Sequence, residues 1–481
     1  MNKSPIFQQL IKLYHQQMVS FHTPGHKNGN IYNSLGYHDF KNNILNIDTT
    51  EIPFTDNLFS PMGCIKEAQH RAAEVFGSQE TFFLVNGSTS GVYSMIMAAT
   101  KPGDKIIIAR NSHKSVINSV FLGDLDPIFL YPETDDHQGI AMGIDAESLD
   151  NLLFNNPDVK AVVITYPTYH GIACDLKKIA EITHKYDKIL LVDEAHGAHL
   201  GLSNQLPATA LECGADGVVQ STHKTLPAFT QSSMLHIQGD RIDREKLRFM
   251  LQLHQSSSPS YILMASLDMA TMIYQTKGKD LMEKLLESIH YLQEKLLSIE
   301  GLHINDKSII GNYQVKDIDI TKLWISHKAK GITGPQLEEK LRSQYSIQLE
   351  LSNIYGALAI TTIGNNKRDF ERLIIALQEI SKEKGKAPVK EIPPISYKSP
   401  VQGCSFKKAI YHEKILIPLD ECNGRISGEY LIPYPPGIPL IIPGEIIDKE
   451  VIKYIKLLRE TGVEVLGPSD GNCQYINIVN T

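Results

Sequence analysis

The chain has 481 residues, 42% hydrophobic and 21% charged, which excludes a disordered or collagen-like protein and leaves room for several domains. Its 47 basic residues are outnumbered by 54 acidic ones, and the net charge of −7 excludes a general basic surface for nucleic acid or anionic lipid. No apolar run reaches the roughly 20 residues of a membrane helix, and polar residues interrupt the amino terminus where a signal peptide would be apolar. We therefore expect a cytoplasmic protein that binds neither nucleic acid nor membrane.

The first predicted elements alternate between helix, turn and strand. Residues 8–19 predict a short amphipathic helix, and the turn-rich sequence TPGHKNG at 23–29 cannot form regular structure. Apolar residues at helical spacing from Ile65 to Phe76 predict a helix that ends at Gly77. A strand is predicted at 81–85.

Further strands are predicted at 106–109, 161–165, 189–192 and 218–219, and helices at 146–154 and 176–186. Near-continuous apolar strands between helices predict an α/β fold with a mainly parallel sheet covered on both faces. Ligands of such sheets gather at the carboxyl ends of the strands.

Beyond about residue 280 the pattern is first helical, at 281–297, and then mixed. We expect five parts, namely an amino-terminal arm at 1–60, a large sheet domain at 61–280, a small α/β domain at 281–380, a linker rich in Lys and Pro at 381–400, and a C-terminal domain at 401–481. The last part is too short to carry much core alone, so we expect it to pack on the main body or on a partner subunit.

The sequence NGSTSG at 86–91 follows a predicted strand and opens a helix. Two glycines allow a tight turn, and the hydroxyls of Ser88 and Thr89 with free helix amides can hold an anion. An ordinary helix cap is the alternative. The segment lacks both the lysine of a P-loop and the G-x-G-x-x-G spacing, so a phosphate monoester fits better than a nucleoside triphosphate.

Asp193 directly follows the strand at 189–192. A carboxylate at this end of a strand faces the ligand crevice and can hold a positive nitrogen, although a helix cap or a salt bridge is an equal alternative. His196 and His199 follow at a spacing that could suggest a metal, but no third ligand is evident. We expect structural histidines and no metal. The six scattered cysteines form no C-x-x-C pair, and we expect reduced thiols.

Lys224 follows the strand at 218–220, beside Ser221 and His223. A lysine at a strand end can be held unprotonated and form an imine with an aldehyde, whereas a solvated lysine is the alternative. Together with the possible phosphate cradle and Asp193, it supplies the three anchors that pyridoxal phosphate requires.

With these motifs the chain resembles the Orn/Lys/Arg decarboxylase family, in its short form without a wing domain. The matching motifs extend over nearly the whole chain and are TPGHKNG (23–29), NGSTS (86–90), RNSHKS (110–115), DEAHG (193–197), STHK (221–224), YPPGIP (434–439) and PGE (443–445). The resemblance implies the fold of the aspartate-aminotransferase-like, fold-type-I enzymes, with pyridoxal 5'-phosphate in the large domain.

The resemblance also implies residue roles. Lys224 would hold the cofactor covalently, Asp193 would keep its pyridine nitrogen protonated, and His113 would be the third catalytic residue. A helix-capping or core histidine is the alternative for His113. The remaining cofactor contacts would be Ser88, Thr89, Ser221 and His223 at the phosphate, His113, Ala195 and His196 at the ring, and Thr168 in a loop that approaches it. For Thr168 a plain turn residue is an equal alternative.

The implied reaction is decarboxylation of arginine, lysine or ornithine to an amine that serves as a polyamine precursor. A basic substrate needs an acidic group at its distal cation. The substrate-side candidates are Glu51, Asp56, His26 and Glu445. Members of the family usually carry adjacent acids and a histidine near residue 56, whereas this chain has Asp56, Asn57 and Phe59. The choice of substrate stays open, and these acids could instead cap the helix after Pro61.

Two further properties follow from the resemblance. We expect a homodimer, with residues 23–28 contributing to a neighbouring site. The proline-rich residues 434–445 are either a rigid substrate-side loop or a packing scaffold. Transamination, β-elimination or aldol cleavage on the same cofactor, and a non-catalytic regulator that keeps the fold, are the competing hypotheses.

Overall fold

The computed structural model describes residues 4–135, 137–383, 385, 400–434, 438–460 and 463–480. Most of the predicted linker at 381–400 and part of the motif at 434–439 lie outside these residues. Within the described ranges, no helix combines the length and the apolar character that crossing a membrane requires.

The amino-terminal arm consists of α1 (Pro5–His15), β1 (Val19–Phe21), α2 (Asn30–Ser34) and α3 (His38–Asn42). The helix predicted at 8–19 starts earlier, because Pro5 suits the first turn of a helix. It also ends earlier, because Val19 to Phe21 form a parallel strand pair with residues 347–349.

The large domain contains the alternating elements that the sequence predicts. Its helices are α4 (Cys64–Phe76), α5 (Gly87–Ala99), α6 (Lys114–Gly123), α7 (Ala146–Asn155), α8 (Leu176–Lys185), α9 (Thr222–Thr225), α10 (Arg244–His254) and α11 (Tyr261–Leu296). Its strands are β2 (Glu80–Leu84), β3 (Lys105–Ala109), β4 (Asp126–Leu130), β5 (Thr134–Asp135), β6 (Ile140–Ala141), β7 (Ala161–Thr165), β8 (Ile172–Ala173), β9 (Ile189–Asp193), β10 (Gly217–Gln220) and β11 (Ser233–Ile237).

Seven of these strands form one sheet in the order β2-β11-β10-β9-β7-β3-β4. The neighbours from β10 to β4 are parallel, and β11 is antiparallel to both β10 and β2. The predicted α/β class with a mainly parallel sheet is therefore confirmed. The sequence analysis missed β11, whose polar Ser233 and His236 interrupt its apolar run although both are buried.

Both faces of the sheet are covered, as predicted. Successive residues along a strand point to opposite faces, and Ile107 and Val162 pack in one apolar cluster while Ile106 and Val163 pack in another. Because the strands from β3 to β10 run parallel, their carboxyl ends meet at one edge. This edge carries the side chains that the sequence analysis singled out.

The small domain follows the 36-residue helix α11, which runs through the predicted boundary at residue 280 without a break. Its elements are β12 (His303–Ile304), β13 (Asp317–Ile318), β14 (Lys322–Ser326), α12 (Gly334–Tyr345), β15 (Ile347–Leu349), β16 (Leu351–Asn353), β17 (Gly356–Ile360) and α13 (Lys367–Lys382). Four strands form a sheet in the order β12-β14-β17-β16. The pairing of β15 with β1 of the arm places the start of the chain against this domain.

The C-terminal domain contains α14 (Phe406–Tyr411), β18 (Lys414–Pro418), β19 (Arg425–Ile426), β20 (Ile432–Tyr434), β21 (Ile446–Ile447), α15 (Lys449–Glu460), β22 (Glu464–Leu466) and β23 (Tyr475–Val479). A small apolar cluster around Ile455 and Ile476 forms its core. Phe406 and Ile442 join the core of the large domain instead, so this domain packs on the main body.

Candidate active site

Lys224 and Asp193 lie together at the carboxyl edge of the sheet. Asp193 is the last residue of β9 and pairs with Val219 of β10, and Lys224 lies on the short helix α9 that follows β10. A strand end followed at once by a helix turn directs both side chains out of the sheet into the same crevice.

The amine of Lys224 is held in a ring-lined, largely desolvated place. Its Nζ lies 2.9 Å from Nε2 of His196 and 5.6 Å from the ring centroid of Tyr169. Burial lowers the pKa of Lys224, while the charges of Asp193 and Glu350 oppose this shift. A lowered pKa increases the fraction of lysine that is uncharged, and the uncharged amine is the form that can attack an aldehyde.

Asp193 is a buried carboxylate with few partners. Its Oδ1 accepts a hydrogen bond from the amide of Ala195 at 3.2 Å. Burial raises the pKa of Asp193, and the positive charge of Lys224 acts in the opposite direction. A buried carboxylate is costly unless a cation compensates it, and a protonated pyridine nitrogen would be such a cation.

The predicted phosphate cradle lies at the start of α5. Ser88 is in the first turn of this helix, and its hydroxyl lies 2.8 Å from the donating hydroxyl of Ser221, so two of the predicted phosphate contacts meet. Thr89 follows in the same turn, whose amides lack partners inside the helix. His223 donates from Nδ1 to the carbonyl of Ser232, and burial lowers its pKa to about 4.

His113 is the N-cap of α6, so the alternative of a helix cap is what the structure shows. Its Nδ1 accepts from the amide of Ser115 at 3.2 Å. Burial, then the charge of Lys224, lowers the pKa of His113 to about 4, so the imidazole is neutral. Capping uses only Nδ1, which leaves the ring face available. Contact of that face with a cofactor ring stays a prediction.

The predicted loop residue Thr168 closes a turn, because its hydroxyl accepts from the amide of Ile172. Its neighbour Tyr169, which the sequence analysis did not select, is the residue that reaches the site. The Tyr169 ring lies 4.1 Å from that of His196, measured between centroids, and its hydroxyl donates to Oε1 of Glu350 at 2.5 Å. Tyr169 could have been found from the sequence, because it directly follows Thr168, which was already a candidate.

Glu350 is the second residue that the sequence analysis missed. It follows β15 of the small domain, and its Oε2 accepts from the backbone amide of Thr23 in the arm at 2.8 Å. Its negative charge also acts on the amine of Lys224. Glu350 therefore brings a carboxylate from the small domain close enough to act on Lys224.

The three acids predicted for the substrate side have other partners. Asp56 accepts hydrogen bonds from the amides of Met62, Gly63 and Ile65 and thus caps α4. Glu51 accepts from the side-chain amide of Asn57. Glu445 is fully buried and pairs with a buried arginine, Arg110, at 3.0 Å, so it cannot meet a substrate from the solvent.

The remaining predicted residues lie around this crevice or support it. His26 accepts from the amide of Gly29, and burial lowers its pKa to about 4. Ala195 is buried next to Asp193. His199 is buried, with its Nε2 3.1 Å from Oδ2 of Asp319, so it has a structural partner. Among the described residues, no group of three or more His, Cys, Asp or Glu side chains could hold a metal ion.

This set of groups fits pyridoxal phosphate. A lysine with a lowered pKa, a buried carboxylate that needs a cation and an anion cradle at a helix start meet at one edge of the sheet.

Comparisons with known proteins identify the family. The model of the Orn/Lys/Arg decarboxylase major domain matches residues 4–369, and that of the C-terminal domain matches residues 399–467. An arginine decarboxylase of Bacillus subtilis is 38% identical over 480 residues, which cover 99% of this chain and 98% of the relative. The lysine decarboxylase LdcA of Pseudomonas aeruginosa is 24% identical over 95% of this chain and 76% of the relative.

A solved structure shares the fold over the same length. The lysine decarboxylase LdcF of Francisella novicida superposes with a TM-score of 0.78 at 23% identity, over 99% of this chain and 83% of that chain. With both family regions matched, the chain belongs to the Orn/Lys/Arg decarboxylase family of pyridoxal-phosphate-dependent enzymes, and its reaction is the decarboxylation of a basic amino acid.

Proposed function

We propose that the substrate is arginine and that the product is its decarboxylated amine, agmatine. The observation that carries this proposal is the position of Glu350, whose carboxylate faces the crevice that contains Lys224. A carboxylate has about four lone-pair sites, and the contacts with Tyr169 and Thr23 use two of them. The remaining sites suit the two parallel N–H groups of a guanidinium. The full-length similarity to arginine decarboxylases supports the same substrate.

The residues at the carboxyl edge of the sheet would hold the cofactor. Lys224 would bind its aldehyde, Asp193 its pyridine nitrogen, and the start of α5 its phosphate. His113 and Ala195 would lie on the two faces of its ring. The phosphate contacts would be Ser88, Thr89, Ser221 and His223. When bound, the cofactor supplies an electron sink for the pair of electrons that the departing carboxylate leaves behind.

Side chains of the protein would control the charges and orientations around the cofactor and the substrate. Asp193 keeps a compensating negative charge at the pyridine nitrogen, so that the proton stays on that atom. Nε2 of His196, 2.9 Å from the Lys224 amine, would accept a hydrogen bond from that nitrogen and orient it. Burial and the charge of Lys224 keep the pKa of His196 well below its ordinary value, so the ring is an acceptor at neutral pH. Glu350 and Tyr169 would orient the distal cation.

A product screen tests the proposal. The purified protein loaded with pyridoxal phosphate is incubated with arginine, lysine and ornithine separately, and amines and keto acids are measured by mass spectrometry. We expect agmatine from arginine at the highest kcat/KM, and none from Lys224→Ala. Preferred turnover of lysine or ornithine would contradict the substrate, and keto-acid formation without amine would contradict the reaction in this chain.

We also propose a cytoplasmic homodimer that supplies a polyamine precursor. Helix α1 has no buried residue, and its Phe7 and Leu10 are exposed, as are Phe54 and Met62 of the following segment. Helix α1 alone exposes six large apolar residues, Ile6, Phe7, Leu10, Ile11, Leu13 and Tyr14. Such a face is typical of an interface, and a second copy of the chain is the partner we propose. Light scattering should give twice the mass of 53.7 kDa. A monomeric mass at micromolar concentration would contradict the dimer.

A further inference from the structure

A buried ion pair joins the C-terminal domain to the strand end that carries His113. Arg110 directly follows β3, and only 1% of its side chain is exposed. Its Nη1 donates to the carbonyl of Pro439 at 2.6 Å, and its Nη2 donates to the carbonyl of Leu440 at 3.2 Å and to Oε2 of Glu445 at 3.0 Å. Every one of these acceptors belongs to the C-terminal domain.

The pair is fixed on both sides. Oε2 of Glu445 also accepts from the amide of Ile442 at 2.8 Å, which orients the carboxylate from within the C-terminal domain. On the other side, the backbone amide of Arg110 donates to the carbonyl of Leu130 in the neighbouring strand, and the guanidinium lies 5.3 Å from the ring centroid of Phe129. The guanidinium therefore has one defined position relative to both domains.

Stability alone is a weak reason for such a pair. Removing two charges from water costs several kcal/mol for each ion, and apolar residues of the same volume often stabilise a protein as well or better. What the pair supplies, and apolar residues would not, is a directional contact between Arg110 and three acceptors. This contact fixes the position of the segment formed by residues 110–113.

This segment is short and held at both ends. Ser112 donates its amide to the carbonyl of Ala109 at 3.0 Å, and His113 is bound at the start of α6 through Ser115. Ser112 is fully buried and Asn111 nearly so. Because Asn111 and Ser112 are buried and the segment is bound at both ends, we expect a shift of Arg110 to be transmitted to the ring of His113.

We infer that Arg110 is a positioning residue through which the C-terminal domain sets the place of the His113 ring in the active site. This inference rests on the proposed contact between His113 and the cofactor. It gives the C-terminal domain a role in catalysis although none of its described residues needs to touch the substrate.

The test is a double-mutant cycle between Glu445→Gln and His113→Ala in the cofactor-loaded enzyme. Glu445→Gln keeps the shape and removes the charge that holds Arg110. We expect it to lower kcat by about 10- to 100-fold, as misplacement of a catalytic group by about 1 Å does, with little change in KM. It should also change the circular dichroism of the bound cofactor. In the His113→Ala background the same substitution should change neither quantity further, because the ring that it displaces is absent.

Lys407→Met is the matched control. Lys407 also pairs across the two domains, with Asp124 at 2.9 Å, but both side chains are about half exposed. Asp124 follows the end of α6 that is farther from His113. We expect wild-type kcat and cofactor dichroism from this variant. A loss equal to that of Glu445→Gln would overturn the role of Arg110, because any weakened domain contact would then have the same effect.

A second variant tests the inference in case Glu445→Gln does not fold. If Glu445→Gln does not fold, Arg110→Met/Glu445→Gln removes the buried charges together, and the new amide can donate to the carbonyl that Arg110 releases. We expect this variant to fold and to show the same loss of kcat. Wild-type kcat and dichroism in either variant, or equal losses in both His113 backgrounds, would overturn the inference. If the wild type makes no agmatine, the proposed substrate fails, while the dichroism cycle still decides the role of Arg110.

Discussion

Glu350→Gln tests whether Glu350, the acid that we propose for the substrate, binds arginine in place of the acids that the sequence suggested. The substitution keeps the shape of the side chain and replaces one carboxylate oxygen by an amide group that donates. Because Tyr169 and Thr23 both donate to Glu350, one of them then faces another donor. The negative charge toward the substrate cation disappears as well.

The size of the effect follows from these contacts. A hydrogen bond to a charged group contributes about 1.5–3 kcal/mol, which corresponds to a loss of roughly 10- to 150-fold in kcat/KM. The distal cation is bound both before and during the reaction, so we expect most of the loss as a higher KM for arginine at nearly unchanged kcat. The measurement is agmatine formation against arginine concentration.

Glu51→Gln is the matched control, since Glu51 was predicted for the same role but accepts from Asn57. We expect its KM for arginine to stay within about twofold of wild type, because the half-buried Glu51 is held by Asn57 and, among the described residues, no hydrogen bond or ion pair links it to Lys224. An unchanged KM in Glu350→Gln together with a raised KM in Glu51→Gln would refute the assignment.

Three more predictions concern single residues. Lys224→Ala should lower kcat/KM by roughly 10⁴-fold or more and abolish the visible absorbance of the loaded protein, whereas retained absorbance would place the cofactor elsewhere. Asp56→Ala should cost about 1–2 kcal/mol in urea unfolding through the lost cap of α4 and leave kcat/KM unchanged, and a selective fall in kcat/KM would contradict this reasoning. Burial raises the pKa of Glu194 from 4.5 to about 8, so the folded protein keeps a proton that the unfolded chain releases, and its stability falls as pH rises from 4.5 to about 8. Glu194→Gln should flatten that slope in urea unfolding at about pH 5 and about pH 8, and an unchanged slope would assign it to other groups.

That Asp193 and Lys224 lie close together could be predicted from the sequence, because one repeated pattern places both residues at the same edge of the sheet. Asp193 and Lys224 each follow an apolar strand directly, and parallel strands bring such ends together whatever their separation along the chain. The turn at residues 86–91 is likewise local, with its glycines and hydroxyls adjacent. Local order therefore sufficed to find the anchors, although it could not show that His113 caps a helix.

The failures have a different physical cause. Glu350 follows a three-residue strand whose partner is β1 of the arm, more than 300 residues away, and no local pattern signals this pairing. Glu350 was missed, whereas Glu445 was wrongly selected. Its place in a family motif suggested contact with the substrate, but its carboxylate is paired with Arg110. A long-range partner decided the role of both acids.

The crevice thus has two sides that are built differently. The residues proposed for the cofactor lie at the strand ends of one sheet, whereas Glu350, proposed for the substrate side, is held by contacts from the arm, through Thr23, and from the loop after β7, through Tyr169. Each contact can change without moving the sheet, because neither Thr23 nor Tyr169 belongs to it. On the proposed function, we expect substitutions around Glu350 to change the preferred basic amino acid, and Tyr169→Phe is the smallest of these. Its loss of one donor should weaken the orientation of Glu350 and leave cofactor binding at Lys224 intact.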